Sequence, residues 1–403
     1  MLINTPVTAA IAIIALWLGF HINRKVGFLH TYNIPPAVSG GLLISSLVAV
    51  IEATTDREIR FDLQVRDLLL ITFFSTIGLS ARLRQMLEGG KALAILLGLA
   101  VVLLLIQNLT GTLMALAAGE SPLLGLIGGS VSLAGGHGTA ITWGQLFEEH
   151  FDLTNASSMG MTFATAGLIS GGLIGGPVGA WLIRRNNLHS EERTPELPHI
   201  ESGQNITYII ELNSVLTAVL LIALCFALGA TVYGWLSDVG IRLPAFLTAM
   251  FLGILLTNGL ELCRINIDYR PIQLAGDLSL QLFLGMSLIS LPLLSLQGAF
   301  GLISLVMVMQ AIVITLLTIF VVFPMLGRSY DAACISSGFI GMGLGATPVG
   351  IANMNALTNR FGPSPKAYLV IPLLGAFFID IANASLVQLL LGLDYRWMTT
   401  TSH

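Results

Sequence analysis

Ten apolar stretches of near bilayer-crossing length recur along this chain, at approximately 5–22, 34–52, 67–83, 92–118, 159–183, 206–236, 244–262, 272–293, 300–326 and 367–393. A helix of about 20 apolar residues spans the hydrocarbon core. Within lipid, backbone polar groups must be bonded inside their own segment, so stretches this long cross as helices. The pattern therefore predicts an all-α polytopic membrane protein. Charge content agrees: 10% of the 403 residues are charged and 55% are hydrophobic, whereas a soluble domain carries roughly a quarter charged. Such a surface cannot face water. The 43 glycines suit helices packed closely in a bilayer. Cys225, Cys263 and Cys334 are scattered without a pairing pattern and read as packing residues, and the seven histidines show no ligand spacing. No cofactor and no nucleic-acid partner is expected.

Two further apolar stretches, about 122–142 and 331–351, are each broken by glycines near the middle. The breaks read Gly135-Gly136-His137-Gly138-Thr139 and Gly341-Met342-Gly343-Leu344-Gly345-Ala346-Thr347-Pro348. Basic residues indicate how these stretches lie, because Lys and Arg near span ends favour the cytoplasmic side. If both are re-entrant hairpins and the N-terminus is outside, 13 of the 18 basic residues fall inside and 5 outside. A full crossing by either stretch inverts every later segment and degrades that asymmetry. Arg24 and Lys25 follow the first span instead of preceding it, as in a retained helix and unlike a cleaved leader.

The hydrophilic stretch 184–205 divides the chain into a first repeat at 1–183, a cytoplasmic linker, and a second repeat at 206–403. Matches between the halves keep their order. Asn33-Ile34-Pro35 pairs with Arg242-Leu243-Pro244, Asp67-Leu68-Leu69 with Asp277-Leu278-Ser279, and Gln107 with Gln310. Gly136-His137-Gly138 pairs with Gly343-Leu344-Gly345, and Gly167 with Gly375. Five spans per half is an odd number, so the repeats are inverted, and both chain ends lie on the outer face.

Broken helices at corresponding places in inverted halves mark a transporter's central site. Free N–H groups at a half-helix start, with the helix dipole, favour an anion. The expected site is thus where 135–139 meets 343–347, with hydroxyls of Ser132, Thr139 and Thr347 assisting. The bland alternative is glycine-mediated helix packing. Asp380 falls mid-span, where a lone carboxylate is costly and functional by default. Asn383 shares its helix face, and the pair suits a sodium ion or an ammonium group; a carboxylate satisfied by neighbouring groups is the alternative. Asp67 and Asp277, at span starts, read as helix-capping acids. Gln107, Asn108 and Gln310 read as interhelical hydrogen-bond glue, with lining the site as the alternative. His137 either donates to a carboxylate or relays a proton, or simply bonds a backbone carbonyl. A cation/proton antiporter using Asp380 is the rival function. A channel lacks a filter sequence, and an enzyme lacks a nucleophile–base pair at membrane depth.

Several runs resemble the bacterial glutamate:sodium symporter family. They are Gly135-Gly136-His137-Gly138-Thr139, Gly343-Leu344-Gly345-Ala346-Thr347-Pro348 with Ile351-Ala352-Asn353-Met354, and Gly375-Ala376-Phe377-Phe378-Ile379-Asp380. The likeness extends through Phe73-Phe74-Ser75-Thr76-Ile77-Gly78-Leu79 and Arg360-Phe361-Gly362-Pro363-Ser364. It implies sodium-coupled uptake of L-glutamate across the bacterial inner membrane, with sodium as coupling ion and both termini periplasmic. It also implies inverted five-helix repeats with glycine-rich re-entrant loops, and a homodimer whose transport domains move like elevators. The expected substrate-binding residues are Ser132, Gly135, Gly136, His137, Gly138, Thr139, Gly343, Gly345, Ala346, Thr347 and Asn353.

Overall fold

Helices make up nearly every element, and local sequence accounts for their ends. The computed structural model describes residues 2–27, 29, 35–55, 59–82, 90–190, 211–238, 245–265, 267–294 and 299–392. The first half holds α1 (Thr5–Lys25), α2 (Pro36–Thr55), α3 (Gln64–Ser80), α4 (Gly90–Ala117), α5 (Pro122–Val131), α6 (Gly136–Phe151) and α7 (Ala156–Arg185). The second holds α8 (Leu212–Asp238), α9 (Ala245–Leu262), α10 (Arg270–Ile289), α11 (Phe300–Met325), α12 (Tyr330–Leu344) and α13 (Thr347–Phe361). It ends with α14 (Pro365–Leu373) and α15 (Ile379–Gly392), joined by a π turn at Leu374–Phe378. Asn4 caps α1 by accepting from the Val7 N–H at 3.2 Å, with Pro6 in the first turn. One small departure from all-helix is a parallel pair of two-residue strands, β1 (Leu2–Ile3) and β2 (Arg60–Phe61). Beside it the Thr5 hydroxyl donates to Asp62 and holds that carboxyl below its ordinary range.

Among the described residues, eight helices are long and apolar enough to cross a membrane: α1, α2, α4 and α7 to α11. The chain is therefore polytopic. The expected third and tenth spans fall short of that measure for different reasons. α3 has 17 residues, about 26 Å at 1.5 Å each. The tenth is described as two shorter helices, α14 and α15, on either side of its π turn. On α11, Leu305, Val308, Ile312, Leu316 and Phe320 recur every three or four residues and are all exposed. Lipid is the solvent that suits such a stripe. Most of the expected linker, from 191 onward, lies outside the described residues, as do 33–34, 242–244 and 393–403.

Packing sorts the helices into two bodies. α1, α2, α3, α8, α9 and α10 pack mainly among themselves, while α4 to α7 and α11 to α15 surround a second, larger apolar core. In the first body, Thr257 and Asn258 of α9 donate to the Leu79 and Ala81 carbonyls at 2.6 and 2.9 Å. They satisfy groups that the end of α3 leaves unpaired. α1 and α2 cross in backbone contact. A methyl built on Gly40 meets the Ala15 carbonyl oxygen at 1.8 Å, and one on Gly19 meets that of Pro36 at 1.9 Å. Gly40→Val is accordingly expected to lower the thermal unfolding midpoint in detergent, since overpacking costs about 1–3 kcal/mol or more. An unchanged midpoint contradicts this contact.

Both glycine breaks are present, with longer outer arms than hydropathy suggests. α6 continues to Phe151 and α13 to Phe361, where Asp152 (φ 53°) and Gly362 (φ 112°) end them. Apolar content fades after 142 and 351, but helix formation does not depend on it. α12 and α13 fold back on each other, with Gly350 against the Gly338 carbonyl (2.5 Å to a built Cβ). Three local expectations need correction. Asp277 does not cap α10, because the helix starts at Arg270, whose N–H bonds Asp268; Asp277 lies two turns in and is exposed. Asp67 does lie in the first turn of α3, as expected, but among the described residues its carboxylate bonds buried Arg66 at 2.7 Å and caps no backbone N–H. Cys263 is exposed, while Cys225 and Cys334 are buried.

Candidate functional site

α5 reaches the first break through a π turn at Ile127–Val131, within which Gly129 leaves helical geometry (φ −99°, ψ −134°). After a turn over 132–135, Gly136 resumes the chain at φ 69°, a left-handed backbone that favours glycine. Gly135 supplies no capping side chain, so the N–H groups of Gly136, His137 and Gly138 open α6 without a cap. α13 starts the same way after Ala346, with no side-chain cap. Pro348 has no N–H, which leaves that of Thr347 as the open donor. The two starts meet: a Cβ built on Gly136 lies 3.6 Å from the Gly345 carbonyl oxygen. Two helix N-termini, each with a positive dipole end, thus face one place from opposite halves of the chain.

The α14–α15 segment passes both tips. Gly375 lies against Thr347, a built Cβ falling 2.0 Å from its hydroxyl oxygen, and Gly135 lies against Asn383, 2.7 Å from its Nδ2. Asp380 sits between these contacts along the chain. It is half-buried and, among the described residues, has no hydrogen-bond partner. Asn383 is fully buried and donates through Nδ2 to the Ser130 carbonyl at 3.0 Å.

The other expected site residues divide by what their atoms already bond. His137 is buried with Nε2 3.0 Å from the Thr165 hydroxyl. That hydroxyl gives its proton to the Met161 carbonyl at 2.8 Å, so it accepts from the histidine N–H. The partner is neither the carboxylate nor the carbonyl expected. Thr139 donates to the Gly135 carbonyl at 2.8 Å, and Gly138 packs on Leu70 and Phe74 of the first body. Ser132 is buried and its hydroxyl has no partner among the described residues. The Gly343 carbonyl accepts from Gln107 at 2.7 Å, and the N–H groups of Gly345 and Ala346 both go to the Gly341 carbonyl. Gly343, Gly345 and Ala346 therefore shape the second tip while Thr347 presents the donor. Asn353 lies away from the tips: its Nδ2 bonds the Gly171 carbonyl at 2.9 Å. It lines a cavity of about 270 Å³ with Gly172, Pro177 and Arg360.

Cross-half bonding is reciprocal. Gln107 of the first half holds the second tip, and Gln310 of the second holds the Gly128 carbonyl before the first tip at 3.2 Å. Sequence reasoning overlooked Ser130 and Thr165. Ser130 had a faint signal, a lone hydroxyl after Gly128-Gly129 in an apolar run; Thr165 had none.

The family model described as "Sodium/glutamate symporter" matches residues 1–363. A sodium/glutamate symporter of Escherichia coli (strain K12) is 40% identical over 397 residues, covering 96% of this chain and 98% of that protein. Another, from Haemophilus influenzae, is 35% identical over 389 residues and covers 96% of each. With one family spanning most of the sequence and relatives aligned almost end to end, the chain belongs to the sodium/glutamate symporter family.

Proposed function

We propose that this protein carries L-glutamate together with sodium ions across the bacterial inner membrane, as a secondary transporter and not an enzyme. The observation that carries the proposal is the meeting of two uncapped helix starts at Gly136 and Gly345–Thr347, with Asp380 on the segment between Gly375 and Asn383, which touch the two tips, and without a hydrogen-bond partner among the described residues. The open N–H groups of α6 and α13 suit the substrate's carboxylates, and Asp380 suits its ammonium group. The names of the relatives support glutamate and sodium as cargo.

In this proposal the chain crosses the membrane ten times, as inverted repeats at 1–183 and 206–403 joined by a cytoplasmic linker at 184–205. Both termini are periplasmic, and the two broken segments are re-entrant hairpins. The division into two helix bodies and the reciprocal glutamine bonds support this arrangement. They also suit an elevator movement, in which the body holding both tips slides along the body of α1–α3 and α8–α10. The transporter works as a homodimer.

Purified protein in proteoliposomes tests the proposal. An inward sodium gradient is expected to concentrate radiolabelled L-glutamate, and removing sodium to stop it. Sodium-driven proton movement without any amino acid identifies an antiporter instead and overturns the proposal. Cysteines at Thr139 and Thr347, in a background lacking Cys225, Cys263 and Cys334, place the substrate. Glutamate is expected to slow the reaction of both with hydrophilic thiol reagents. If neither is protected, the tips are packing elements only.

A further inference from the structure

Ser130 lies between two side-chain amides in a fully buried place. Its Oγ is 2.9 Å from Asn108 Oδ1 and 2.5 Å from Asn383 Oδ1. A serine hydroxyl has one proton and so satisfies one of these oxygens. Turning the amides over does not remove the surplus. Asn108 Oδ1 also accepts the Ser130 N–H at 3.0 Å, and a reversed amide sets N–H against N–H there. Asn383 Nδ2 donates to the Ser130 carbonyl at 3.0 Å, and reversal sets two oxygens face to face. With the amides as placed, one oxygen pair lies in contact with no proton between, and reversing either amide only exchanges that contact for another clash. Two residues on, the buried Ser132 hydroxyl has no partner among the described residues. Surplus lone pairs of neutral, hard oxygens at a dry site are what a small hard cation coordinates.

We infer that Asn108 Oδ1, Ser130 Oγ and Asn383 Oδ1 form a binding site for the coupling sodium ion. This rests on the proposed symport and deepens it, because it assigns Asn383 to sodium and leaves Asp380 for the substrate's ammonium group. The site joins α4, the segment before the first tip, and α15, and the same Asn383 packs on Gly135. Sodium there draws α15 onto the first tip and fixes the 132–135 turn, which sets the open N–H groups of α6 in place for glutamate. Binding the cation first thus raises affinity for the anion.

Two variants test this, each lacking one oxygen: Ser130→Ala and Asn108→Leu, in proteoliposomes and in detergent. Each is expected to raise the sodium concentration for half-maximal glutamate uptake at least tenfold. In detergent without glutamate, sodium chloride is expected to raise the wild-type unfolding temperature above its value in choline chloride, and the variants are expected to lose that difference. Unchanged sodium dependence in both variants overturns the site and identifies a three-centre hydrogen bond at Ser130. If one variant does not fold, the other decides. Wild-type protein that gains sodium-specific stability but takes up no glutamate retains the site and refutes the symport. Wild-type uptake driven by sodium, with variants that respond to sodium unchanged, does the reverse.

Discussion

Asp380→Asn is expected to lower sodium-driven glutamate accumulation by about 100-fold or more, because losing one partner of a buried charge pair costs about 2–5 kcal/mol. The side chain keeps its size, and Asp380 makes no hydrogen bond among the described residues that the variant would break. Folding is thus expected to persist, with an unchanged elution profile and unfolding midpoint. Initial rates of uptake in proteoliposomes, beside the thermal midpoint in detergent, separate the two effects. Wild-type accumulation by the variant removes Asp380 from the site.

Gly167→Ala is expected to reduce uptake at least tenfold without removing any polar side chain. Gly167 lies on α7 beneath both tips, where a built Cβ meets the Leu344 carbonyl oxygen at 2.1 Å and Leu133 Cδ2 at 2.7 Å. A leucine methyl can swing aside, but the backbone carbonyl that precedes Gly345 cannot. The second tip must therefore shift away from Gly136, and a displacement of about 1 Å in a positioned site costs on the order of 100-fold. Gly98→Ala is the control, because nothing lies within 4 Å of its built Cβ. Equal uptake by the two variants contradicts the close seating of the second tip on α7.

Local signals carried much of this protein and failed at identifiable places. Spans were legible because run length and hydropathy are properties of adjacent residues. The arms of the breaks were read too short, since Trp143 to Phe151 and Ala352 to Phe361 stay helical while losing the apolar run that marked them. Asp277 was misjudged because Asp268, nine residues earlier, takes the first N–H of α10. The histidine's partner was illegible: Thr165 is 28 residues away, on another helix. Gln107 and Gln310 do bond between helices as expected, although only the tertiary structure pairs each with the opposite half's break.

From its residues alone, this chain was bound to be helical, to lie in lipid and to break at two glycine-rich points, because backbone hydrogen bonding in hydrocarbon permits little else. Tertiary packing alone decided which atoms occupy those breaks. It spent the N–H groups of Gly345 and Ala346 inside the second tip and left that of Thr347 open. It also brought Asn108 and Asn383, on two different helices, to either side of Ser130, although Asn383 is 253 residues away in sequence. Contacts at such separations depend on where whole helices settle against one another, and no neighbouring residues encode that.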